Sequence, residues 1–295
     1  MKIALHDNDE TRYPNLALMK LSALYKSRGD TVEWFNPLFN DADIVFSSKV
    51  FTWTKPSPYL PKDSVIGGTG HDIEVGLSVE AEHICPDYGL YRCTQSYGFL
   101  TRGCPNKCKW CFVPEKEGKI RPHADIEEFA RHKDVVLMDN NVLAHKHGIE
   151  QIEKIVKLGL RIDFNQGLDA RLIDEKMAKL LAKVKWLEPL RLACDQFSQM
   201  EAIQKAVVSL RWHNCTPRNY FVYCLVTEDI DDAVERVRFL KGMNLDPFCQ
   251  PYRDKNGTKP SRIQKDFARW VNHKAEFKSS TWGEYSKRNH VGVTQ

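Results

Sequence analysis

The sequence predicts an α/β protein in which a small α/β unit is followed by an open, partial (β/α)6 barrel and a basic helical extension. Strand, helix and strand alternate in residues 1–95, an order that indicates a parallel sheet. In residues 96–252, six short apolar strands are separated by helical stretches, as expected of a barrel of parallel strands. Three closely spaced cysteines follow the first of these six strands.

The composition is that of a globular protein. Of the 295 residues, 42% are hydrophobic, which suffices for cores of ordinary size. Polar residues follow Met1–Leu5 directly and no apolar run reaches the length of a membrane span, so we expect a cytoplasmic protein without signal peptide or membrane partner. Nine cysteines is an odd number, and six of them show no paired spacing, so a secreted disulfide framework is not expected.

The first domain, residues 1–95, is predicted to be a small Rossmann-like α/β unit. Lys2–His6 is a short strand, and Tyr13–Arg28 carries apolar residues near the helical period and stops before glycine. Thr31–Phe35 and Ala42–Phe46 are predicted as further strands. This order favours parallel pairing.

A glycine-rich stretch, residues 67–70, follows the short strand that begins at Val65. Such a stretch can cradle a phosphate, but no lysine stands in P-loop register and no clear helix follows it. We therefore predict a tight turn that lets the backbone approach a neighbour closely.

The second domain, residues 96–252, has the regular rhythm of a β/α barrel. Ligands are expected beyond the carboxyl ends of its strands. The predicted strands are Tyr97–Thr101, Val135–Met138, Arg161–Phe164, Leu190–Cys194, Tyr220–Val226 and Pro247–Gln250, and the predicted helices are Ile149–Lys157, Asp174–Val184, Gln199–Ser209 and Asp229–Phe239.

The third segment, residues 253–295, is predicted to be a basic helical extension. One helix, Arg262–Phe277, carries an apolar stripe that we expect to pack against the barrel. From Pro251 to Gln295, ten lysines and arginines stand against four acids. This balance is typical of a surface that faces a polyanion, and also of a solvated helix face.

Cys104, Cys108 and Cys111 have the spacing C-x3-C-x2-C. This spacing lets one tight loop direct three thiolates at a single iron–sulfur cluster while one iron keeps no protein ligand. The alternative is a zinc site in which the same cysteines and His123 form a Cys3His tetrahedron. Against zinc, His123 lies twelve residues past the last cysteine, and zinc would not explain the strand repeats.

With Trp110 directly before the third cysteine and the strand repeat over about Ser96–Tyr252, the motif resembles the radical S-adenosylmethionine (SAM) superfamily. The resemblance implies a [4Fe-4S] cluster on Cys104, Cys108 and Cys111, with SAM bound at its fourth iron. In that family an electron passes to the sulfonium, and a 5′-deoxyadenosyl radical abstracts hydrogen from a substrate carbon.

The resemblance also implies positions for SAM. Trp110, directly before the third cluster ligand, is one of the residues implied to surround SAM. Asp139 and Asn140, after the second barrel strand, sit where the family receives the amino group of SAM, although the usual Gly-Gly-Glu is absent. Gln166, after the third strand, is placed at the ribose hydroxyls, and Arg171 at the carboxylate.

Two of these SAM-binding assignments, and a further assignment of two cysteines, have structural alternatives. Asp139 and its neighbours suit a turn or helix cap equally well, and Arg171 can form a local ion pair with Asp169. Cys194 and Cys249, at the ends of the fourth and sixth barrel strands, are candidates for a catalytic thiyl or hydrogen donor. Their alternative is the ordinary role of free cysteine as a small buried hydrophobe.

The N-terminal domain resembles the cobalamin-binding domain that precedes many radical SAM barrels. The Asp-x-His-x-x-Gly loop that ligates cobalt is absent, because His6-Asp-Asn-Asp-Glu10 follows the first strand. Cobalamin is therefore not expected, and the domain is predicted to be a degenerate cap or substrate-binding unit.

The predicted substrate is a nucleic acid or nucleotide, because the C-terminal segment and the cysteine motif are both basic. Lysines such as Lys107 and Lys109 can also guide an acidic electron donor such as a flavodoxin. A peptide or small metabolite is the alternative substrate. An alternative of another class is a non-catalytic, zinc-bearing nucleic-acid-binding module.

Overall fold

A computed structural model describes residues 1–215, 220–254 and 256–289. The chain forms two compact units, Met1–Val136 and Leu137–Gln295. Both contain helices and parallel strands, which confirms the mixed α/β class. Closure into a partial barrel, the Rossmann-like character of the N-terminal unit, and the domain boundaries after residues 95 and 252 stay predictions.

The first unit opens with a parallel sheet. Strand β1 (Lys2–Asp7) pairs with β2 (Thr31–Trp34) on one side and with β3 (Ile44–Ser48) on the other, and β4 (Val65–Gly67) pairs with β3. Helix α1 (Leu16–Ser27) connects β1 to β2. The core of this sheet consists of Ile3, Leu5 and Leu18, which are all 0% exposed.

Helix α1 is bounded by specific residues at both ends. The Asn15 side chain accepts a hydrogen bond from Leu18 N at 3.3 Å, which is the usual N-cap arrangement. Gly29 follows the helix at φ +84°, a conformation that glycine adopts without steric cost. The predicted helix started three residues early, at Tyr13, because the periodicity alone does not reveal the cap.

The glycine-rich stretch forms the close approach predicted for it. Gly70 N donates to Lys49 O at 2.8 Å. A Cβ at Gly68 would lie 2.4 Å from Lys49 O, and one at Gly70 would lie 2.6 Å from Phe51 O. Side chains are therefore excluded at both positions.

The rest of the first unit consists of short elements. Strand β5 neighbours β8 in a sheet, and β6 and β7 form a two-residue antiparallel ladder. The sequence did not predict this ladder, because two-residue strands have no periodicity to detect. The elements are α2 (Val79–Glu82), β5 (Ser96–Gly98), β6 (Thr101–Arg102), α3 (Val113–Lys116), β7 (Arg121–Pro122), α4 (Ile126–Phe129) and β8 (Asp134–Leu137), whose last residue opens the second unit.

The second unit alternates strands and helices, as predicted. Strands β11, β12 and β13 form a parallel sheet in that order, and β9 pairs in parallel with β10. A single parallel bridge joins Leu168, after β9, to Leu192 in β11. The elements are α5 (Lys146–Leu158), β9 (Arg161–Phe164), α6 (Glu175–Leu181), β10 (Lys185–Trp186), β11 (Arg191–Ala193), α7 (Met200–Trp212), β12 (Phe221–Val226), α8 (Ile230–Gly242) and β13 (Asp246–Pro251), with 3-10 turns at Val142–Ala144, Ala170–Leu172 and Phe197–Gln199.

The C-terminal segment contains helices α9 (Arg262–Asn272), α10 (Lys274–Ser279) and α11 (Trp282–Arg288). The prediction of one helix over Arg262–Phe277 was wrong at His273, whose backbone leaves the helical conformation and whose side chain caps α10. The expected packing is present, because α9 lies against β13. Its buried stripe includes Phe267, Trp270 and Val271.

Of the helices that the structure describes, none combines the length and the apolar character needed to cross a membrane.

Candidate functional site

The three motif cysteines lie on one loop, residues 103–120, which we call the cysteine loop. Its base is closed by β6 and β7, in which Thr101 is paired with Pro122 and Arg102 with Arg121. Cys104 N donates to Gly118 O at 3.3 Å, so the two ends of the loop are also joined just beyond the ladder. The loop is therefore anchored at its base.

The entry to the loop depends on Gly103 and Glu117. Gly103 has φ +81°, and a Cβ there would lie 2.4 Å from Lys119 O. Its N–H donates to the Glu117 carboxylate at 2.8 Å, and Arg102 pairs with the same carboxylate at 3.2 Å. The Glu117 side chain is only 8% exposed, so this ion pair is held inside the unit.

The second half of the loop turns tightly around the last two cysteines. Cys111 N donates to Cys108 O at 3.1 Å, and Val113 N donates to Cys111 Sγ at 3.4 Å. Cys104 and Cys108 are half-buried, Cys111 is exposed, and none of the three forms a disulfide. The half-buried Trp110 ring has the Lys109 ammonium 5.8 Å from its centroid.

The three thiols are a donor set that an iron–sulfur cluster accepts. Within the described parts of the chain, no three His, Cys, Asp or Glu side chains are grouped so as to hold one metal ion. Zinc needs four ligands about 2.0–2.3 Å from a single point, and that Cys3His arrangement is not formed. His123, its fourth member, packs beside His83 with ring centroids 4.9 Å apart. A cluster offers each cysteine its own iron, so the three sulfurs need not converge on one atom.

Two adjacent loops of the second unit carry the predicted SAM-binding residues other than Trp110. Asn165 N donates to Leu137 O at 3.0 Å, which places the ends of β8 and β9 side by side. Asp139 is 4% exposed, Asn140 is half-buried and Gln166 is exposed. The structure thus brings together the two loops that hold Asp139, Asn140 and Gln166.

The Asp169 carboxylate links these loops. Asn141 Nδ2 donates to Asp169 Oδ2 at 3.0 Å. Arg171 forms a bidentate pair with the same carboxylate, with Nε to Oδ1 at 2.8 Å and the second nitrogen to Oδ2 at 2.7 Å. The local ion pair, the alternative interpretation of Arg171, is therefore present.

Cys194 and Cys249 lie in a buried row together with Cys224. Cys224 and Cys249 are register partners in β12 and β13, and Cys194 directly follows the β11 residue that pairs with Tyr223. All three cysteines are at most 1% exposed, and burial raises the pKa of the Cys194 thiol. Helix α8 covers the row, since Arg236 donates to Cys194 O at 2.6 Å. This packing gives no support to a role as hydrogen donor at a barrel mouth.

Sequence reasoning missed two polar contacts near the same strands. Asp163 in β9 and Arg191 in β11 form a buried ion pair, and the Tyr223 hydroxyl donates to Asn165 O at 3.1 Å. The carboxylate of Asp163 between two apolar residues, Ile162 and Phe164, was the available signal for the first contact, because buried charges are normally paired. No local pattern identified the second contact.

Comparison with known proteins identifies no family for the chain. No protein-family model and no curated protein sequence matches it. A solved structure of methylornithine synthase (PylB) is similar to it over 60% of this chain and 61% of that chain, with 14% sequence identity and a TM-score of 0.40. The match spans less than two thirds of that protein's length. At this level the likeness carries no argument, so the functional proposal is based on the cysteine loop.

Proposed function

We propose that the protein is a radical SAM enzyme in which Cys104, Cys108 and Cys111 hold a [4Fe-4S] cluster. The observation that carries the proposal is the cysteine loop: three reduced cysteines at C-x3-C-x2-C spacing on a loop anchored by β6, β7 and Gly103. When bound, such a cluster has one iron open to SAM and supplies the electron that releases methionine and a 5′-deoxyadenosyl radical, which abstracts hydrogen from the substrate.

The protein contributes the ligands and their positions. Metal binding requires thiolates, and the Val113 N–H directed at Cys111 Sγ stabilises a thiolate there. The Arg102–Glu117 ion pair holds the entering backbone in place, so the first cysteine needs little reorganisation to become a ligand.

SAM itself is proposed to bind at the two linked loops of the second unit. Asp139 or Asn140 accepts hydrogen bonds from its amino group, and Gln166 binds the ribose hydroxyls. Arg171 binds the carboxylate, because the planar guanidinium matches the two oxygens of a carboxylate group.

The proposed substrate class is a nucleic acid or nucleotide, with a peptide or small metabolite as the alternative. Support comes from the excess of lysine and arginine in residues 251–295 and from the exposed Lys107 and Lys109 of the cysteine loop. The same lysines suit an acidic electron donor such as a flavodoxin. Cobalamin has no part in the proposal.

Anaerobic reconstitution with iron and sulfide tests the proposal. Wild-type protein should bind about four iron atoms and absorb broadly near about 400 nm. After addition of dithionite and SAM it should form 5′-deoxyadenosine. Cys108→Ser should lose all three properties, whereas Cys93→Ser, at another half-buried cysteine of the same unit, should keep them.

Two outcomes would reject the assignment. One is a Cys108→Ser variant that still binds the full complement of iron and cleaves SAM. The other is a colourless wild-type protein that contains stoichiometric zinc, which would favour the zinc-bearing binding module instead.

A further inference from the structure

The first unit contains a cleft of about 400 Å³ beside the base of the cysteine loop. This volume falls in the range of small-molecule sites. One wall comes from residues 73–79, which lead into α2, and the other from the end of α2, the cysteine loop and the residues after it. The lining residues on which the inference rests are Ile73, Val75, Leu77, Val79, Lys116, Arg121 and His123.

The first wall is apolar and open to water. It consists of Ile73, Val75, Leu77 and Val79, with Val75 43% and Val79 80% exposed. Large exposed apolar side chains that line a concavity favour a ligand with an apolar body, because binding removes their surface from water.

On the opposite wall, two inner carboxylates each form an ion pair. Glu82 pairs with Lys20 at 3.2 Å, and the Lys20 side chain is 7% exposed. Glu117 pairs with Arg102 at 3.2 Å. The third lining carboxylate, Glu74, is exposed to solvent on the apolar side. Both inner carboxylates favour the charged form of Lys116, one of the two remaining cations of the cleft, whereas Arg102 opposes it.

Those cations are Lys116 and Arg121. The Lys116 ammonium donates to the Thr69 hydroxyl, and the Arg121 guanidinium donates to the backbone carbonyl of Glu117. Both partners are neutral oxygens. Burial lowers the pKa of Lys116, which means that its charged form lacks part of its hydration and would gain from a nearby anion.

An imidazole nitrogen completes this wall. His123 Nε2 is buried without a hydrogen-bond partner, and the Glu82 carboxylate lies 3.7 Å from it. A buried polar atom without a partner is rare in folded proteins. A polar ligand atom in the cleft would supply the missing partner.

We propose that this cleft binds a small organic anion, with its carboxylate or phosphate on Lys116 and Arg121, its apolar body on the Ile73–Val79 wall and a hydrogen bond to His123. The arrangement matches the common design of ligand sites, in which an apolar surface is combined with a few convergent polar groups. The site goes beyond the proposed radical chemistry and does not depend on it, because none of its residues is a proposed cluster or SAM ligand.

Isothermal titration calorimetry of the full chain tests the site with four probes: phenyl phosphate, phenylacetate, inorganic phosphate and phenol. We expect saturable binding of phenyl phosphate or phenylacetate, and the stronger of the two identifies the preferred anion. Phenol lacks the anionic group and inorganic phosphate lacks the apolar body, so each should bind at least tenfold more weakly. Equal binding of phenol, or no saturable binding of either aromatic anion, would overturn the proposal.

Variants locate the binding. Lys116→Met and Arg121→Met should each weaken binding at least tenfold, whereas Lys119→Met, at an exposed lysine of the same loop, should not change it. Circular dichroism confirms that each variant is folded. His123→Phe provides a second measurement, since it removes the hydrogen bond but keeps both cations. Unchanged affinity in all three cleft variants would place the probe elsewhere and refute the site.

The same titration of a Cys104→Ser, Cys108→Ser, Cys111→Ser chain separates this proposal from the previous one. Binding that survives in this triple variant supports the cleft, whatever the outcome of reconstitution. Binding lost there, but present in the wild type, would mean that the anion is held by the cysteines or their cluster and not by the cleft.

Discussion

Gly103 is the backbone position on which the entry to the cysteine loop depends. Its left-handed φ of +81° strains any other residue, and a Cβ would lie 2.4 Å from Lys119 O. We expect Gly103→Ala to lower the free energy of unfolding by about 2 kcal/mol or more, since backbone strain and a steric clash add. Urea denaturation measures the loss, and iron content after reconstitution should fall with it.

Gly118 provides the matched control for this prediction. It also has a left-handed φ, +72°, but a Cβ there meets nothing within 4 Å. Gly118→Ala should therefore show only the backbone strain, about 1 kcal/mol. Equal losses in the two variants would contradict the close contact at Gly103.

His123 should make the stability of the protein depend on pH. Burial, followed by the nearby Lys20, lowers its pKa to about 4, from about 6.5 in an unfolded chain. Between these values the unfolded state binds the proton more readily, so stability falls as the pH drops from about 6.5 towards 4, by at most about 3 kcal/mol.

The variant His123→Gln isolates this effect. Its free energy of unfolding should lack the His123 contribution, so the stability advantage of the wild type should shrink as the pH falls through that window. Urea melts at a series of pH values give both curves. Curves that run parallel would show that His123 titrates normally in the folded protein.

At the scale of the elements, helix α8 is fastened to the sheet of the second unit by Arg236. This side chain is 0% exposed and donates to Asp232 at 2.7 Å, to Cys194 O at 2.6 Å and to Leu225 O at 2.9 Å. Arg236→Met would leave these acceptors without their donor, and we expect it to lower the free energy of unfolding, measured by urea denaturation, by about 3 kcal/mol.

Lys205 provides the control, because it forms an exposed pair with Glu201. Lys205→Met should cause no measurable change in the free energy of unfolding. A similar stability for both variants would contradict this role.

The C-terminal helices are held together by aromatic side chains. Trp270 of α9 lies 5.1 Å from Phe277 of α10 and 5.7 Å from Trp282 of α11, measured between ring centroids. Trp270→Ala should cost about 3–5 kcal/mol. It should also release α11, which hydrogen exchange would detect as faster exchange over Trp282–Arg288.

Trp212 is the control for this substitution, because it is 82% exposed at the end of α7. Trp212→Ala should leave both stability and exchange in α11 unchanged. If α11 keeps its protection in Trp270→Ala, the aromatic contacts do not hold it.

The sequence predicted elements well where a regular pattern was long enough. Strand β9 matches its prediction at both ends, and the other strands of the second unit that were predicted differ by one residue at most. The break at His273 was missed because the apolar stripe continues across it to Phe277, and a cap made by a histidine side chain leaves no periodic signal.

At the scale of the whole molecule, ion pairs reduce the charge that the basic segment offers to a nucleic acid. Arg262 and Arg269 share Asp266, and Arg288 pairs with Glu276. In the described residues of this segment, four lysines have no ion pair, namely Lys259, Lys265, Lys278 and Lys287. The segment is therefore a weaker anion site than its composition indicates.

Single-stranded RNA binding should accordingly depend only moderately on salt. Four phosphate contacts give a slope of log K against log salt of about −3, since each contact contributes about −0.7. Fluorescence anisotropy of a labelled oligonucleotide measures the slope, and replacement of all four lysines by methionine should abolish it. A slope near −6 would mean that the paired arginines also bind phosphate.

The cysteine spacing, the alternation of strands and helices and the positions of most elements were determined by the sequence alone, because each is a local pattern along the chain. Tertiary structure decided which partners the charged and reactive groups find. It paired Asp163 with Arg191, placed Cys194 under α8, and set His123 in the lining of a cleft. These contacts depend on strand register and loop closure between residues far apart in the chain, which periodicity does not encode.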